Sequence, residues 1–197
     1  MLHFKYIFMT KNRLETFSDS VMAIVITLLA FEFKVPAMDN FNNNQMIFIL
    51  NSYSSEFLIF VLSFITISIM WINHHYITDK IEIVNHKTVW ANSILLMFIT
   101  LVPFSTSFLG SNPTNQVALI VYSVIMLCAS VSFTLLKYTS VPSGLITNKR
   151  EIFKHVGIYA YTFAIFVSVF LPHLTYFVLV VPPLSYLLPG NSQKKKS

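Results

Sequence analysis

Charge is scarce in this chain. Only 11% of its 197 residues are Asp, Glu, Lys or Arg, against about 25% in an ordinary soluble domain. That shortage argues against a water-soluble globular enzyme. The high apolar content equally excludes a disordered chain, which needs low hydrophobicity and high charge. Cysteine occurs once, as Cys128, so neither an intrachain disulfide nor a cysteine metal cluster can form. Inside its apolar run Cys128 reads as a small buried side chain. Glycine is limited to Gly110, Gly144, Gly157 and Gly190, and none of them builds a phosphate-cradling loop. There is no His-Glu-x-x-His motif and no Gly-x-Ser-x-Gly elbow. Neither an enzyme nor a bound cofactor is expected.

What the chain does have is long apolar sequence. Hydrophobic residues make up 55% of it, Phe alone contributes 19 residues, and the mean hydropathy is +0.66. A membrane-spanning helix needs about 20 residues, so the length allows about six spans with short connections. Six apolar segments can be marked, at 17–35, 57–73, 89–109, 116–136, 152–171 and 174–188. Pro36, Gly110, Pro113, Pro189 and Gly190 punctuate their ends, as helix stop signals do. Pro103 lies inside the third segment and predicts a kink or a loosened last turn; Pro182-Pro183 interrupts the sixth. The Asn-rich connection at 37–56 predicts a short surface helix around Met46 to Leu50. Lys5, Lys11 and Arg13 precede the first apolar stretch, but Asp19 and Glu32 bracket it and no small-x-small cleavage site follows. It reads as a retained helix, not a signal peptide. The expected fold is an all-α integral membrane protein of six transmembrane helices, in the cell membrane. Residues 1–190 are expected to form a single six-helix transmembrane domain and 191–197 a basic tail.

Basic residues then orient the chain. With the N-terminus cytoplasmic, Lys5, Lys11, Arg13, Lys80, Lys87, Lys137, Lys149, Arg150, Lys154 and Lys194-Lys195-Lys196 fall inside and Lys34 alone falls outside. Such a bias is the positive-inside signature, and an odd number of spans would scatter it. Both termini are therefore expected in the cytoplasm. The lysine tail reads as a solvated topology anchor, with anionic lipid headgroups as its sharper partner at about 1 kcal/mol per lysine. Nucleic acid is not an expected partner.

The first segment is the most polar of the six in its interior, with Ser18, Asp19, Ser20, Thr27 and Glu32. An acid at bilayer depth costs about 2.5–3.5 kcal/mol on insertion scales, so this helix belongs inside an assembly. At about 100° per residue, Phe17, Ser20, Ile24, Thr27, Leu28, Phe31 and Val35 fall on one stripe, while Asp19 lies about 220° round from Ile24 and Ser18 about 120°. The stripe has two readings. It is either a helix–helix packing seam or the wall of a pore gated by apolar rings, which close by dewetting.

The string Arg13-Leu-Glu-Thr-Phe17-Ser18-Asp19-Ser-Val-Met-Ala23-Ile24-Val-Ile26-Thr27-Leu28-Leu29 closely resembles the signature first helix of the transmembrane protein 175 family of potassium-permeable channels. Trp71-Ile-Asn-His74-His75 is similar to that family's Trp-x-x-His-His. Asn92, Leu95-Leu96 and Pro103-Phe104-Ser105-Thr106 are similar to its third-helix pattern. The resemblance covers roughly the first 110 residues in order. It implies a homotetramer in the lipid bilayer, with a central pore for K⁺ and other monovalent cations lined by the first helix of each subunit. It places Ile24 at the narrowest ring, Thr27 or Leu28 at the next and Phe31 further out, where a smaller aliphatic is the family's expected residue. It gives Arg13, Phe17, Ser18 and Asp19 a structural role at the cytoplasmic end of the pore helix. The Thr-Val-Gly-Tyr-Gly filter of other potassium channels is absent. A secondary transporter is the rival reading, since Pro103 and Pro182-Pro183 offer helix breaks of the kind transporters use.

The histidines are read separately. His74 and His75 point about 100° apart on a helix, so they do not readily share a metal. His75 and Asp79 are spaced i, i+4, but a site needs third and fourth ligands, for which Glu82 and His86 are the candidates. Hydrogen bonding near Asp19 or Arg13, or pH sensing, is the expected use of His74 and His75. Metal fixed by the protein is not expected. Glu32, near the outer end of the first helix, either attracts cations at a pore mouth or is simply solvated.

Overall fold

The computed structural model describes residues 9–32, 42–141 and 155–187, and every regular element among them is helical. In chain order these are α1 Lys11–Phe31, α2 Asn43–Ser52, α3 Ser54–Thr78, α4 His86–Thr100, α5 Val102–Ser111, α6 Gln116–Ser140, α7 Val156–Phe170 and α8 Pro172–Leu187. Four stretches among the described residues are long and apolar enough to cross a membrane: Lys11–Phe31, Ser54–Thr78, His86–Ser111 and Gln116–Ser140. The fifth and sixth sequence segments correspond to the shorter α7 and α8. The lysine tail, Lys34, Val35 and the 142–154 connection lie outside the described residues.

Local chemistry sets the helix ends. α1 starts where the Thr10 side chain accepts the Arg13 N–H at 3.4 Å, an N-cap that satisfies one of the orphan donors of the first turn. It therefore begins earlier than the apolar segment at 17–35 suggests, because Lys11, Arg13 and Glu15 are helical without being hydrophobic. α3 likewise runs past the expected end at 73, through His74 and His75 to Thr78. α2 carries a capping box, with Asn42 and Gln45 each bonding the other's backbone N–H at 2.9 and 3.0 Å. This is the short helix expected around Met46 to Leu50.

The third span is interrupted next to its proline. α4 ends at Thr100, Leu101 makes a tight turn to Phe98 at 3.2 Å, and α5 restarts at Val102 with Pro103 in its first turn. Pro103 has no N–H for the carbonyl of Ile99 and its ring clashes with that carbonyl in a straight helix. In α8 the helix continues through Pro182-Pro183 to Leu187.

Alternate helices are antiparallel. Lys11 at the start of α1 meets Asp79 after α3 at 3.9 Å, and Thr88 near the start of α4 donates to the Thr139 carbonyl near the end of α6 at 3.3 Å. Lys11, Lys80, Lys87 and Lys137 thus gather at one end of the bundle. At the other end Gln116 donates to the Val169 carbonyl at 3.1 Å, joining the start of α6 to the end of α7. The core holds Met22, Val25 and Leu29 of α1, Ile67 of α3, Leu95 and Ile99 of α4, and Tyr122 and Met126 of α6. Three of its polar members form one chain. Thr106 donates to Ser63 at 2.8 Å, and Ser63 bonds the phenol of fully buried Tyr122 at 3.0 Å, which ties α5, α3 and α6 together without leaving these groups bare in an apolar medium.

Gly110 permits a close approach of α5 to α3. A Cβ at Gly110 would stand 2.8 Å from Glu56 Cγ and 3.2 Å from Glu56 Cα. Gly110→Ala should therefore push α5 from α3 and cost about 1–3 kcal/mol, the usual penalty for overpacking. A lowered thermal unfolding midpoint of the detergent-purified protein checks this; an unchanged midpoint contradicts it.

Candidate functional site

α1 has two unlike faces. Leu14, Ser18, Met22, Val25 and Leu29 are buried against the rest of the protomer. Their spacing centres that face about 120° round the helix from Ile24. The sequence-derived stripe is turned away from the protomer: Phe17 is 52% exposed, Ile24 58%, Leu28 44% and Phe31 77%, and Ser20 and Thr27 are exposed as well. The stripe's hydroxyls are committed to their own helix. Ser20 donates to the Thr16 carbonyl at 2.8 Å and Thr27 to the Ile24 carbonyl at 2.7 Å. At mid-helix this face is therefore hydrocarbon, with no charged group on it.

The rotation of α1 is fixed from behind by a buried hydrogen-bond chain. Asn92 Nδ2 donates to Ser18 Oγ at 2.9 Å, and Ser18 Oγ donates to the Leu14 carbonyl at 2.8 Å. With its amide nitrogen so committed, Asn92 presents Oδ1 to His74 Nε2 at 2.8 Å. His74 Nε2 therefore carries the hydrogen, while Nδ1 has no partner among the described residues. Ser18, His74 and Asn92 are all at most 1% exposed. One side chain from each of α1, α3 and α4 thus meets at a point where any other rotation of α1 would strand polar groups in a dry core.

Asp19 makes a second, more open tie to α3. Its Oδ1 accepts the indole N–H of Trp71 at 3.0 Å and lies 3.6 Å from His75 Nε2. The rings of Trp71 and His75 stand edge to face at 4.8 Å. Asp19 keeps 39% of its side chain exposed and His75 41%, so this pair sits at the border of the protomer.

The structure thus sorts the residues singled out from sequence. Ser18 and Asp19 meet His74 and His75 in the two ties, whereas Ile24, Thr27, Leu28 and Phe31 share the outward stripe with Phe17. Arg13 is exposed, and its side chain makes no hydrogen bond or ion pair among the described residues. Glu32 is the C-cap of α1. Sequence reasoning did not rank Asn92 or Trp71 as site residues, yet Asn92 is the hub of the buried chain. The available signal was a lone carboxamide in the apolar run of the third segment, and a tryptophan one turn before His75.

Asn92→Leu removes the partner of both His74 and Ser18. Leaving buried polar groups unsatisfied costs about 1–3 kcal/mol each, so this variant should lose most of its folded, assembled protein. Ser18→Ala, which strands Asn92 Nδ2 alone, should lose less. Size-exclusion profiles and thermal midpoints in detergent check the order; an Asn92→Leu variant as stable as the parent contradicts it.

Comparison with known proteins places this geometry. Residues 13–103 match the family model described as the endosomal/lysosomal potassium channel TMEM175. A potassium channel of Chryseobacterium is 30% identical over 95% of this chain and 97% of its own length. One from Chamaesiphon minutus is 35% identical over 86% of this chain and 91% of its own. The fold superposes on the crystal structure of a lysosomal potassium-selective channel TMEM175 homologue from Chamaesiphon minutus with a TM-score of 0.81, at 31% identity, covering 92% of this chain and 98% of that one. With several apolar helices long enough to span a bilayer and relatives matched along nearly their whole length, this chain is a multi-pass integral membrane protein and belongs to the TMEM175 family of potassium channels.

Proposed function

We propose that this chain is the subunit of a homotetrameric, potassium-permeable cation channel whose constriction is the outward stripe of α1. The observation that carries the reading is the exposure of that stripe: Ile24, Leu28 and Phe31 are large, apolar and uncovered on a helix whose opposite side is pinned by hydrogen bonds. Cyclic symmetry would bring one copy of each residue around a common axis. Ile24 then forms the narrowest ring, Thr27 or Leu28 the next, and Phe31 the outermost. Arg13 and Phe17, exposed in the protomer, belong to contacts between subunits at the same end as Ser18 and Asp19. His74 and His75 hold the pore helix to α3. In this reading all six spans cross the membrane within one domain over residues 1–190, with both termini and the 191–197 tail in the cytoplasm. The lysines clustered at the α1-start end of the bundle support that orientation.

Apolar rings supply no oxygens to replace an ion's hydration shell. Discrimination between K⁺ and Na⁺ must then come from pore width and the cost of partial dehydration, which gives a modest preference for the larger, more weakly hydrated ion. The same rings close the path when their lining dewets. α1 is one unbroken helix from Lys11 to Phe31 with no internal Pro or Gly. That favours a fixed wall over the discontinuous helices on which carriers bind their substrates.

Two measurements test the reading. In reconstituted bilayers, reversal potentials with K⁺ opposed to Na⁺ should show cation current with moderate K⁺ preference and unitary steps; anion current, or saturable flux without unitary steps, overturns it. Ile24→Asn should raise conductance or resting leak several-fold by wetting the constriction, whereas Val25→Asn, at a position 1% exposed, should reduce folded protein instead. An unaltered Ile24→Asn current beside an altered Val25→Asn current means the conducting face is a different one.

A further inference from the structure

The end of the bundle that gathers the lysines also carries exposed aromatic side chains. Tyr76 of α3, Trp90 of α4, Tyr138 of α6 and Tyr159 of α7 are all uncovered there, and Lys80 Nζ stands 3.9 Å from the centre of the Tyr76 ring. Trp and Tyr collect at a membrane–water boundary, so this girdle marks one face of the bilayer. α3, long and apolar enough to cross, measures depth from it. The hydrocarbon core is about 30 Å thick. From Tyr76 back to Tyr53 is about 34 Å at 1.5 Å per residue, and a tilt of about 20° still leaves about 32 Å. Tyr53 alone joins α2 to α3. The junction of the two helices therefore falls at the opposite face of the membrane.

α2 is thus tethered at headgroup depth, and its side chains suit that place. Round the helix, Ile49, Met46, Leu50 and Ile47 share one arc of about 160°, while Asn51, Asn44, Ser52 and Gln45 share the opposite arc of about 120°. Asn43, at the first position, and Phe48 are the exceptions to this division. No residue of α2 is buried in the protomer. Ile49 is partly covered, and Met46, Ile47 and Leu50 are exposed. Large apolar side chains grouped on one side of a helix are costly to leave in water. Phe57 and Leu58, at the start of α3, are exposed as well. An apolar arc one residue from a membrane-crossing helix meets the acyl boundary directly. The capping box of Asn42 and Gln45 serves backbone donors of the first turn from within the helix, as a site short of bulk water requires. Residues 42–55 contain no Asp, Glu, Lys or Arg.

We propose that α2 is an interfacial helix that lies along the membrane face, with Met46, Ile47 and Leu50 sunk into the lipid acyl boundary and Asn44, Gln45, Asn51 and Ser52 turned to the headgroup and water layer. Its partner is the lipid itself. The attachment is hydrophobic, because α2 offers no charge to an anionic headgroup, and it therefore does not depend on lipid charge. The bilayer then fixes the depth of the connection between α1 and α3. This placement rests on the chain crossing the membrane and not on which helix lines a pore.

The test is site-directed spin labelling of the full chain in phosphatidylcholine vesicles. Cys128 is the single native cysteine and is first replaced, as Cys128→Ala. Met46→Cys, Leu50→Cys and Asn44→Cys are then introduced one at a time and labelled with a nitroxide. Collision of each label with oxygen, which concentrates in hydrocarbon, is compared with collision with a water-soluble nickel chelate. The oxygen-to-nickel ratio should be several-fold higher at positions 46 and 50 than at 44, and unchanged when part of the lipid is anionic. Nickel-dominated collision at all three positions means a helix in water and overturns the proposal. Low access to both reagents at 46 and 50 means that protein, such as a second copy of the chain, covers the arc, and overturns it too. So does oxygen-dominated collision at all three, or a preference that appears only with anionic lipid. Ile47→Cys, on the same arc, replaces either apolar position if that variant does not reconstitute.

Discussion

The orientation of one helix about its own axis governs this structure. α1 carries an apolar face and a polar face, and which of them meets the rest of the protomer is set by Ser18 and Asp19. Ser18 enters a dry hydrogen-bond chain through Asn92 to His74, and Asp19 reaches Trp71 and His75. Turning α1 by one residue would move Ser18 about 100° from Asn92 and leave buried donors and acceptors unpaired, at about 1–3 kcal/mol for each such group. Dispersion and burial alone would not be so selective, because a helix rich in Ile, Leu, Val and Met packs tolerably in several rotations.

A helix held this firmly from behind can afford to leave large side chains uncovered in front. Ile24, Leu28 and Phe31 have no protomer neighbour to bury them, and in lipid they need none. What distinguishes their face from an ordinary lipid-facing one is that the helix bearing it also carries Asp19 and Glu32, acids that are expensive in hydrocarbon. Asp19 is only partly covered, with an exposed tryptophan and a half-exposed histidine around it. In the proposed tetramer, that border is where neighbouring subunits would meet. The contrast of a rigid polar back and a bare apolar front is the arrangement that apolar gating requires, since a ring of mobile side chains would neither dewet sharply nor hold its diameter.

Much of this was legible in the sequence, and the limits are physical. Periodicity found the stripe, because the spacing of Phe17, Ile24, Leu28 and Phe31 follows from helix geometry alone. It could not decide between a seam and a free face, which depends on where the other helices lie. The ends of α1 and α3 were misjudged because Lys11, Arg13, His74 and His75 read as the close of an apolar run, while a helix can continue into the interface with polar residues and a Thr10 cap. Pro103 announced the break at Leu101 through its missing N–H. Asn92 was visible as a carboxamide in an apolar segment, but its role as the hub needs partners that lie 74 and 18 positions away in the chain. The family resemblance, carried by Arg13 to Leu29 and the Trp71 to His75 string, is borne out by relatives matched over almost the whole chain.

The central claim is that the α1 stripe faces a shared axis. An experimental structure of the assembled protein in lipid nanodiscs measures this directly. The account predicts four copies with Ile24 nearest the axis and Met22, Val25 and Leu29 turned from it. An assembly in which Ile24, Leu28 and Phe31 lie against lipid, or in which another helix lines the axis, would contradict it.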